Sequence, residues 1–160
     1  MRCLIIALAF LGSALLADTA NLLAPTNKAE SWRFEQHEGG KGSLKPEGDE
    51  MVFTITDVDG TDWHVQAVQT NLDLAEGKDY VLKFQAKASE PRNITVSAMI
   101  DQDDWHTIGL AEQVAVDTAY KPVELKFKAE NVVAKKNRIS LFLGDAKGTV
   151  TVKDMTLTAG

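Results

Sequence analysis

Cysteine is nearly absent from this chain of 160 residues, which has only Cys3. Cys3 lies in an apolar run at 3–16 that follows Met1-Arg2 and is short for a membrane span. Such a start, followed by small residues, is typical of a secretory signal peptide. We predict a signal peptide over residues 1–20 and a secreted or periplasmic protein, with an uncleaved anchor as the alternative. Cleavage leaves no cysteine for a disulfide.

Basic residues are in the minority, with 17 Lys and Arg against 23 Asp and Glu and a formal net charge of −6. Nucleic acids and anionic lipid surfaces bind through basic patches that release counterions. No second long apolar run follows residue 20. We therefore expect neither nucleic acid nor, after signal removal, a membrane as partner.

Catalytic motifs are also missing. Glycoside hydrolysis needs two carboxylates that face each other across the substrate, and the acids here fall in no recognisable motif of that kind. The three histidines accompany no nucleophile motif such as GxSxG. Asp-Trp-His occurs twice, at 62–64 and 104–106, and zinc bound by these histidines is a further alternative, but the short spacing typical of histidine ligands is absent. The sequence favours a protein that is not an enzyme.

Strand-like segments recur along the chain, separated by Gly-, Pro- and Asp-rich turns. The clearest is 80–87, where Tyr80, Leu82 and Phe84 alternate with polar residues, as in a strand with one buried face. This pattern predicts an all-β, two-sheet antiparallel β-sandwich over residues 21–160. The predicted strands are 31–36, 51–56, 63–70, 80–87, 94–100, 111–116, 123–129, 139–143 and 149–158.

Three motifs carry a family resemblance. They are Trp63-x-Val65-Gln66-x-x-Gln69, then Leu72-x-Leu74-x-x-Gly77-x-x-Tyr80-x-Leu82-x-Phe84-x-Ala86-Lys87-Ala88, and later Arg138-Ile139-x-Leu141-x-Leu143-Gly144. Together they resemble the signature of family 4/9 carbohydrate-binding modules, which are jelly-roll sandwiches usually attached to secreted glycoside hydrolases. The resemblance implies non-catalytic binding of a polysaccharide or oligosaccharide. It also implies a secreted glycoside hydrolase as partner; this chain contains no catalytic domain, so it binds glycan alone, serves a separate enzyme, or keeps only the scaffold.

Two tryptophans are the candidate stacking residues. Aromatic faces stack on the apolar faces of sugar rings, and both Trp63 and Trp105 stand between Asp and His in polar surroundings. For Trp63 the alternative is a place at the edge of the core, because it shares the phase of Val65 and Ala67. Trp32 is expected in the core or at its edge.

Hydrogen bonds to sugar hydroxyls are expected from His64, Gln66 and Gln85. We predict that strands 63–70 and 80–87 form a hairpin, which would bring both amides onto one face beside a tryptophan. Phe142 is a minor candidate, because it is out of phase with its apolar neighbours and so faces outward.

No cofactor is required for such binding, but the resemblance implies a structural calcium ion near the last strand. Lys153 stands at the usual aspartate position and Asp154 follows it, so Asp154 is the candidate ligand. A shift in apolar phase at Lys153-Asp154 predicts a β-bulge there. The alternative function is a structural or protein-interaction sandwich, which predicts that Trp63 and Trp105 are buried.

Overall fold

A computed structural model describes residues 20–160, so the predicted signal peptide lies almost wholly outside the described residues. Two short 3₁₀ turns, Ala29–Ser31 and Asp62–His64, accompany the strands, and within residues 20–160 no helix is long and apolar enough to cross a membrane. The strands are β1 Arg33–Gln36, β2 Lys41–Glu47, β3 Glu50–Asp57, β4 Val65–Leu72, β5 Asp79–Ala88, β6 Arg92–Ile100, β7 Thr107–Val116, β8 Lys121–Lys128, β9 Asn137–Phe142 and β10 Gly148–Ala159.

The strands form two five-stranded sheets. The first has the order β1-β4-β9-β6-β7, and the second has the order β2-β3-β10-β5-β8. Every pairing in both sheets is antiparallel. This architecture confirms the predicted two-sheet antiparallel sandwich.

The core lies between the sheets and follows the predicted alternation. Along β5, Tyr80, Leu82 and Phe84 are buried, whereas the residues between them are partly or fully exposed. Trp32 is also buried, with its ring edge-on to Phe53 at 5.2 Å, as expected of a core residue. Burial of aromatic and aliphatic side chains of this size is the main source of stability in a chain without disulfides.

The predicted hairpin of 63–70 and 80–87 is wrong. β4 lies in the first sheet between β1 and β9, and β5 lies in the second sheet between β10 and β8. The connection therefore crosses from one sheet to the other, and the buried side chains Leu72 and Leu74 flank the crossing. The alternation of apolar and polar residues shows that each strand has one buried face. The same alternation arises whether two strands pair in one sheet or face each other from two sheets across the core, so it could not show which arrangement holds.

The sequence did not predict strand β2, but it correctly predicted the bulge in β10. β2 is an edge strand of the second sheet. Most of its residues are exposed, and it contains Gly42 and Pro46. Proline is tolerated at sheet edges, but it obscures the strand pattern in the sequence. The register of β10 against β5 shifts between Lys153 and Thr156, which confirms the bulge.

Candidate functional site

A groove of about 440 Å³ crosses the outer face of the first sheet. Side chains of β1, β4, β6 and β9 line it, together with residues from the loops beside them, and its lining is mostly apolar. We call this feature the groove. It is lined by Glu35, His37, Trp63, Gln66, Met99, Trp105, Arg138 and Phe142.

Strand alternation builds the floor of the groove. In β9, Ile139 and Leu141 are buried in the core, so Arg138 and Phe142 project from the opposite face of the sheet. Gln66 of β4 stands directly opposite Phe142 in the antiparallel register. Phe142 therefore faces outward as predicted, and it shares its face with Gln66.

Trp63 forms part of the groove wall, and the residue is 46% exposed. The 3₁₀ turn at Asp62–His64 carries it immediately before β4. The backbone N–H of Gly144 donates to the Asp62 carbonyl at 2.7 Å and fixes this turn against the end of β9. The ring lies 4.3 Å from the His64 ring, edge-on, and 5.7 Å from the His37 ring.

Trp105 also forms part of the groove wall and is 47% exposed. It lies in the β6–β7 loop with φ of 58°, in the left-handed region that side chains other than glycine rarely adopt. The Arg138 guanidinium carbon stands 5.0 Å from the centre of its ring, within cation–π range. Both tryptophans are exposed, contrary to what the structural or protein-interaction alternative predicts.

Two arginines and two carboxylates form a charge network, of which Arg138 and Glu35 line the groove. Arg33 donates to both Asp101 oxygens at 3.0 and 2.6 Å and to Glu35 at 2.8 Å. Arg138 has an almost fully buried side chain; its Nη1 donates to Glu35 and Asp101 at 3.3 and 3.4 Å, and its Nη2 donates to the Gln66 amide oxygen at 3.4 Å. The network therefore balances two positive against two negative charges.

Ion pairing and burial act in opposite directions within this network. The hydrogen bond from Arg33 holds the pKa of Asp101 below its ordinary value. Burial lowers the pKa of Arg138, although the charges of Glu35 and Asp101 oppose that effect. A buried cation is tolerated only when it is paired in this way.

Two predicted site residues lie apart from the groove lining. His64 packs against Trp63, and its Nδ1 lies 2.6 Å from Asp59 Oδ2. Gln85 lies on β5 of the second sheet, where its amide donates to Asp154 at 3.0 Å. The structure thus brings together Trp63, Trp105 and Gln66. It places His64 against the Trp63 ring but outside the groove lining, and it separates Gln85 from all of them.

The sequence reasoning missed four groove residues: Glu35, His37, Met99 and Arg138. For Arg138 a signal was present, because a charged residue in phase opposite to Ile139 and Leu141 must face away from the core. The other three come from β1 and β6 and the loop after β1, and their proximity depends on sheet order, which the sequence pattern does not contain.

The calcium expectation rests on Asp154, which sits at the bulge with φ of 54° and accepts the hydrogen bond from Gln85. Within residues 20–160, no group of three or more His, Cys, Asp or Glu side chains could hold a metal ion. Asp154 therefore lacks the cluster of carboxylates that calcium sites commonly use, and the described residues do not fit the implied ion well. A calcium titration followed by thermal unfolding tests the prediction.

Comparison with known proteins gives a family match. Residues 24–148 match the model of the CBM_4_9 family, described as "Carbohydrate binding domain". A search of curated proteins found no match.

Several solved structures share the fold. A structure described as "CBM4 structure and function" is 23% identical, with a TM-score of 0.76 over 87% of this chain and 93% of the other. The second N-terminal cellulose-binding domain of Cellulomonas fimi β-1,4-glucanase C is 20% identical, with a TM-score of 0.71 over 92% and 99%. A family 11 carbohydrate-binding module from Clostridium thermocellum, in complex with a β-1,3-1,4-mixed-linked tetrasaccharide, is 14% identical, with a TM-score of 0.58 over 86% and 94%.

Proposed function

This chain belongs to the CBM_4_9 family of carbohydrate binding domains, and we propose that its groove binds a polysaccharide or oligosaccharide without cleaving it. The observation that carries the proposal is the pair of exposed tryptophans that line the groove. Sugar rings have apolar C–H faces that stack on aromatic rings, so the two indole rings provide two stacking surfaces. Large exposed aromatic side chains on a soluble domain commonly mark a binding site.

The polar groups of the floor supply the second requirement of sugar recognition, which is hydrogen bonding to hydroxyls. Gln66 offers an amide, Glu35 a carboxylate and His37 a ring nitrogen along the same groove. Because Gln66 and Glu35 are already held by Arg138, they are pre-positioned, and ordering them on binding costs little entropy.

Glu35 in the groove and the neighbouring Asp101, which shares Arg138 with it, are poorly suited to glycosidic cleavage. A glycosidase needs a general acid whose pKa is raised, beside a second free carboxylate. Here both Glu35 and Asp101 are engaged by arginines, and the pKa of Asp101 is lowered. This arrangement supports binding rather than hydrolysis.

β-Glucans are the first ligands to test, because the Cellulomonas fimi relative is named as cellulose-binding and the Clostridium thermocellum module holds a mixed-linked glucan fragment. Affinity gel electrophoresis with soluble β-glucans, xylans, mannans and α-glucans measures retention of the protein. We expect retardation by at least one glycan, and a loss of about tenfold or more in affinity for Trp63→Ala and Trp105→Ala.

Matched controls separate the groove from the rest of the surface. Leu22 is 43% exposed and outside the groove, so Leu22→Ala should leave retention unchanged. Gln66→Met should weaken binding, whereas Gln85→Met on the other sheet should not. If no glycan retards the wild-type protein, or if folded tryptophan variants bind normally, the proposal is rejected.

Export of the chain is a further part of the proposal. The signal-like residues 1–20 support it, and so does the need to meet a polysaccharide outside the cell. N-terminal sequencing of the protein recovered from the culture medium or periplasm tests it. A separate secreted glycoside hydrolase would be the natural partner, and faster release of sugar by such an enzyme in the presence of this chain is the assay.

A further inference from the structure

His106 bridges two loops through both of its ring nitrogens. Nδ1 lies 2.7 Å from the Asp104 carboxylate oxygen Oδ1, and Nε2 lies 2.7 Å from the backbone carbonyl oxygen of Asn131. Asp104 belongs to the β6–β7 loop that carries Trp105, and Asn131 belongs to the β8–β9 loop.

Both partners of His106 are acceptors. A carboxylate and a carbonyl oxygen have no proton to give at neutral pH, so each bond requires an N–H on the ring. A neutral imidazole has one N–H, and an imidazolium has two. The observed geometry is therefore complete only when His106 is protonated.

The far end of this bridge is itself anchored. The Glu76 carboxylate accepts hydrogen bonds from the N–H groups of Asn131 and Val132, each at 3.0 Å. On the near side, the Ile100 N–H donates to the His106 carbonyl at 3.0 Å. Trp105 stands between Asp104 and His106 in a left-handed conformation, so whatever holds its two neighbours fixes the direction of its Cα–Cβ bond, and Arg138 packs against the ring itself.

We propose that protonated His106 is a positioning residue that clamps the β6–β7 loop to the β8–β9 loop, and so holds Trp105 in place as a wall of the groove. The consequence for glycan affinity rests on the function proposed above. His106 acts through Trp105 and need not touch the sugar.

The charges around the ring favour the protonated form. The Asn131 carbonyl and the Asp104 carboxylate both raise the pKa of His106, and partial burial opposes them. In return, the pKa of Asp104 is lowered. Glu76 lies behind the Asn131 peptide, and Arg138 lies on the Trp105 ring. Because the pKa of His106 is raised in the folded loop, the clamp is complete below about pH 6.5 and is lost as the pH rises through the raised value.

The other Asp-Trp-His segment provides an internal comparison. His64 Nδ1 also lies against a carboxylate, that of Asp59 at 2.6 Å, but within residues 20–160 its Nε2 has no hydrogen-bond partner. A neutral ring satisfies this single bond. The repeated tripeptide thus holds its two tryptophans differently, and only the Trp105 wall depends on a charged histidine.

The first test needs no glycan. In ¹⁵N NMR spectra of the full chain, the His106 ring should show two protonated nitrogens at low pH and titrate above the ordinary histidine pKa of about 6.5. The Trp105 indole resonance should shift with the same midpoint. Asp104→Asn should move that midpoint to lower pH. In His106→Gln, the Trp105 indole resonance should no longer show a pH-dependent shift with that midpoint.

The second test measures affinity for a soluble glycan retained by the wild-type protein. We expect affinity to fall by about threefold to tenfold between about pH 5.5 and about pH 8.5, the effect of losing one hydrogen bond of ordinary net strength. His106→Gln should bind weakly at both pH values and lose the pH effect. His37→Gln should retain the pH effect, whatever its overall affinity.

The outcomes separate this inference from the proposed function. A doubly protonated His106 coupled to Trp105, in a protein that binds no glycan, supports the clamp and rejects the function. Glycan binding without a shifted His106 titration, or a pH effect that persists in His106→Gln, overturns the clamp and leaves the function standing.

Discussion

Arg138 is the residue on which the floor of the groove depends. Its side chain is almost fully buried, yet it contacts Glu35, Asp101, Gln66 and, through its guanidinium face, Trp105. The planar guanidinium can donate hydrogen bonds from its edge to the carboxylates while its face packs on the Trp105 ring. A lysine ammonium could not make both kinds of contact at once. The two tryptophans were predictable from their polar neighbours in the sequence, but the partners of Arg138 were not, because they come from strands far apart in the chain.

Asp101 should make the stability of the protein depend on acid. Its pKa is lowered mainly by the hydrogen bond from Arg33, so the carboxylate stabilises the fold above its unfolded pKa of about 4, and that contribution is lost as the pH falls through the lower, folded value. We expect Asp101→Asn to lower the free energy of unfolding by about 1 to 2 kcal/mol at neutral pH, and by less in acid. Urea unfolding at several pH values measures this.

A carboxylate that is itself exposed is the control for that measurement. Asp57 pairs with Lys147 at 3.5 Å on the surface, and both side chains are more than half exposed. Because exposed pairs contribute little, Asp57→Asn should leave the unfolding free energy almost unchanged at every pH. Equal effects of the two substitutions would contradict a stabilising role of the hydrogen bonds between Arg33 and Asp101.

At the scale of elements, the sequence pattern predicts strands well and their partners poorly. Period-two alternation located nine of the ten strands, since the buried face of a strand is a local property. Sheet membership is not local: β4 and β5 follow each other in the chain yet belong to different sheets. This is why the groove could not be assembled correctly from the sequence, and why Gln85 was grouped with Gln66.

The turn at Asp62–His64 is a vulnerable element because a glycine supports it. A Cβ added to Gly144 would lie 2.6 Å from the Asp62 carbonyl oxygen and 2.8 Å from that of Thr61, closer than such atoms can approach. Gly144→Ala should therefore displace the turn and Trp63 with it. We expect thermal destabilisation of about 1 to 3 kcal/mol and weaker glycan retention in affinity gels.

A second glycine shows whether the effect is local. A Cβ on Gly160 would meet its neighbours only at 3.5 Å or more, an ordinary contact distance. Gly160→Ala should be neutral in both assays. If Gly144→Ala behaves like Gly160→Ala, the turn has more freedom than the close approach of its carbonyls implies.

At the scale of the whole molecule, the two ends of the described chain are held together. β10 is the last strand in the chain but the central strand of the second sheet, where it pairs with both β3 and β5. Near the other end, the Leu22 N–H donates to the Leu157 carbonyl at 2.9 Å, and the Asn21 side chain accepts from the Leu157 N–H. The second sheet therefore cannot be completed until the last residues are available.

Removal of residues 148–160 should for this reason abolish folding rather than weaken it. The deletion leaves two separate strand pairs, β2-β3 and β5-β8, with four unpaired edges, and it removes the buried side chains of Val150, Val152 and Leu157 from the core. Two-stranded ribbons are marginal in water, and the first sheet loses the surface that covers its core. We expect the truncated chain to lack dispersed NMR signals and cooperative unfolding, and a synthetic peptide of residues 148–160 to restore both by adding the missing strand. A truncated chain that unfolds cooperatively without the peptide would mean that the first sheet and the remaining strands hold a core of their own.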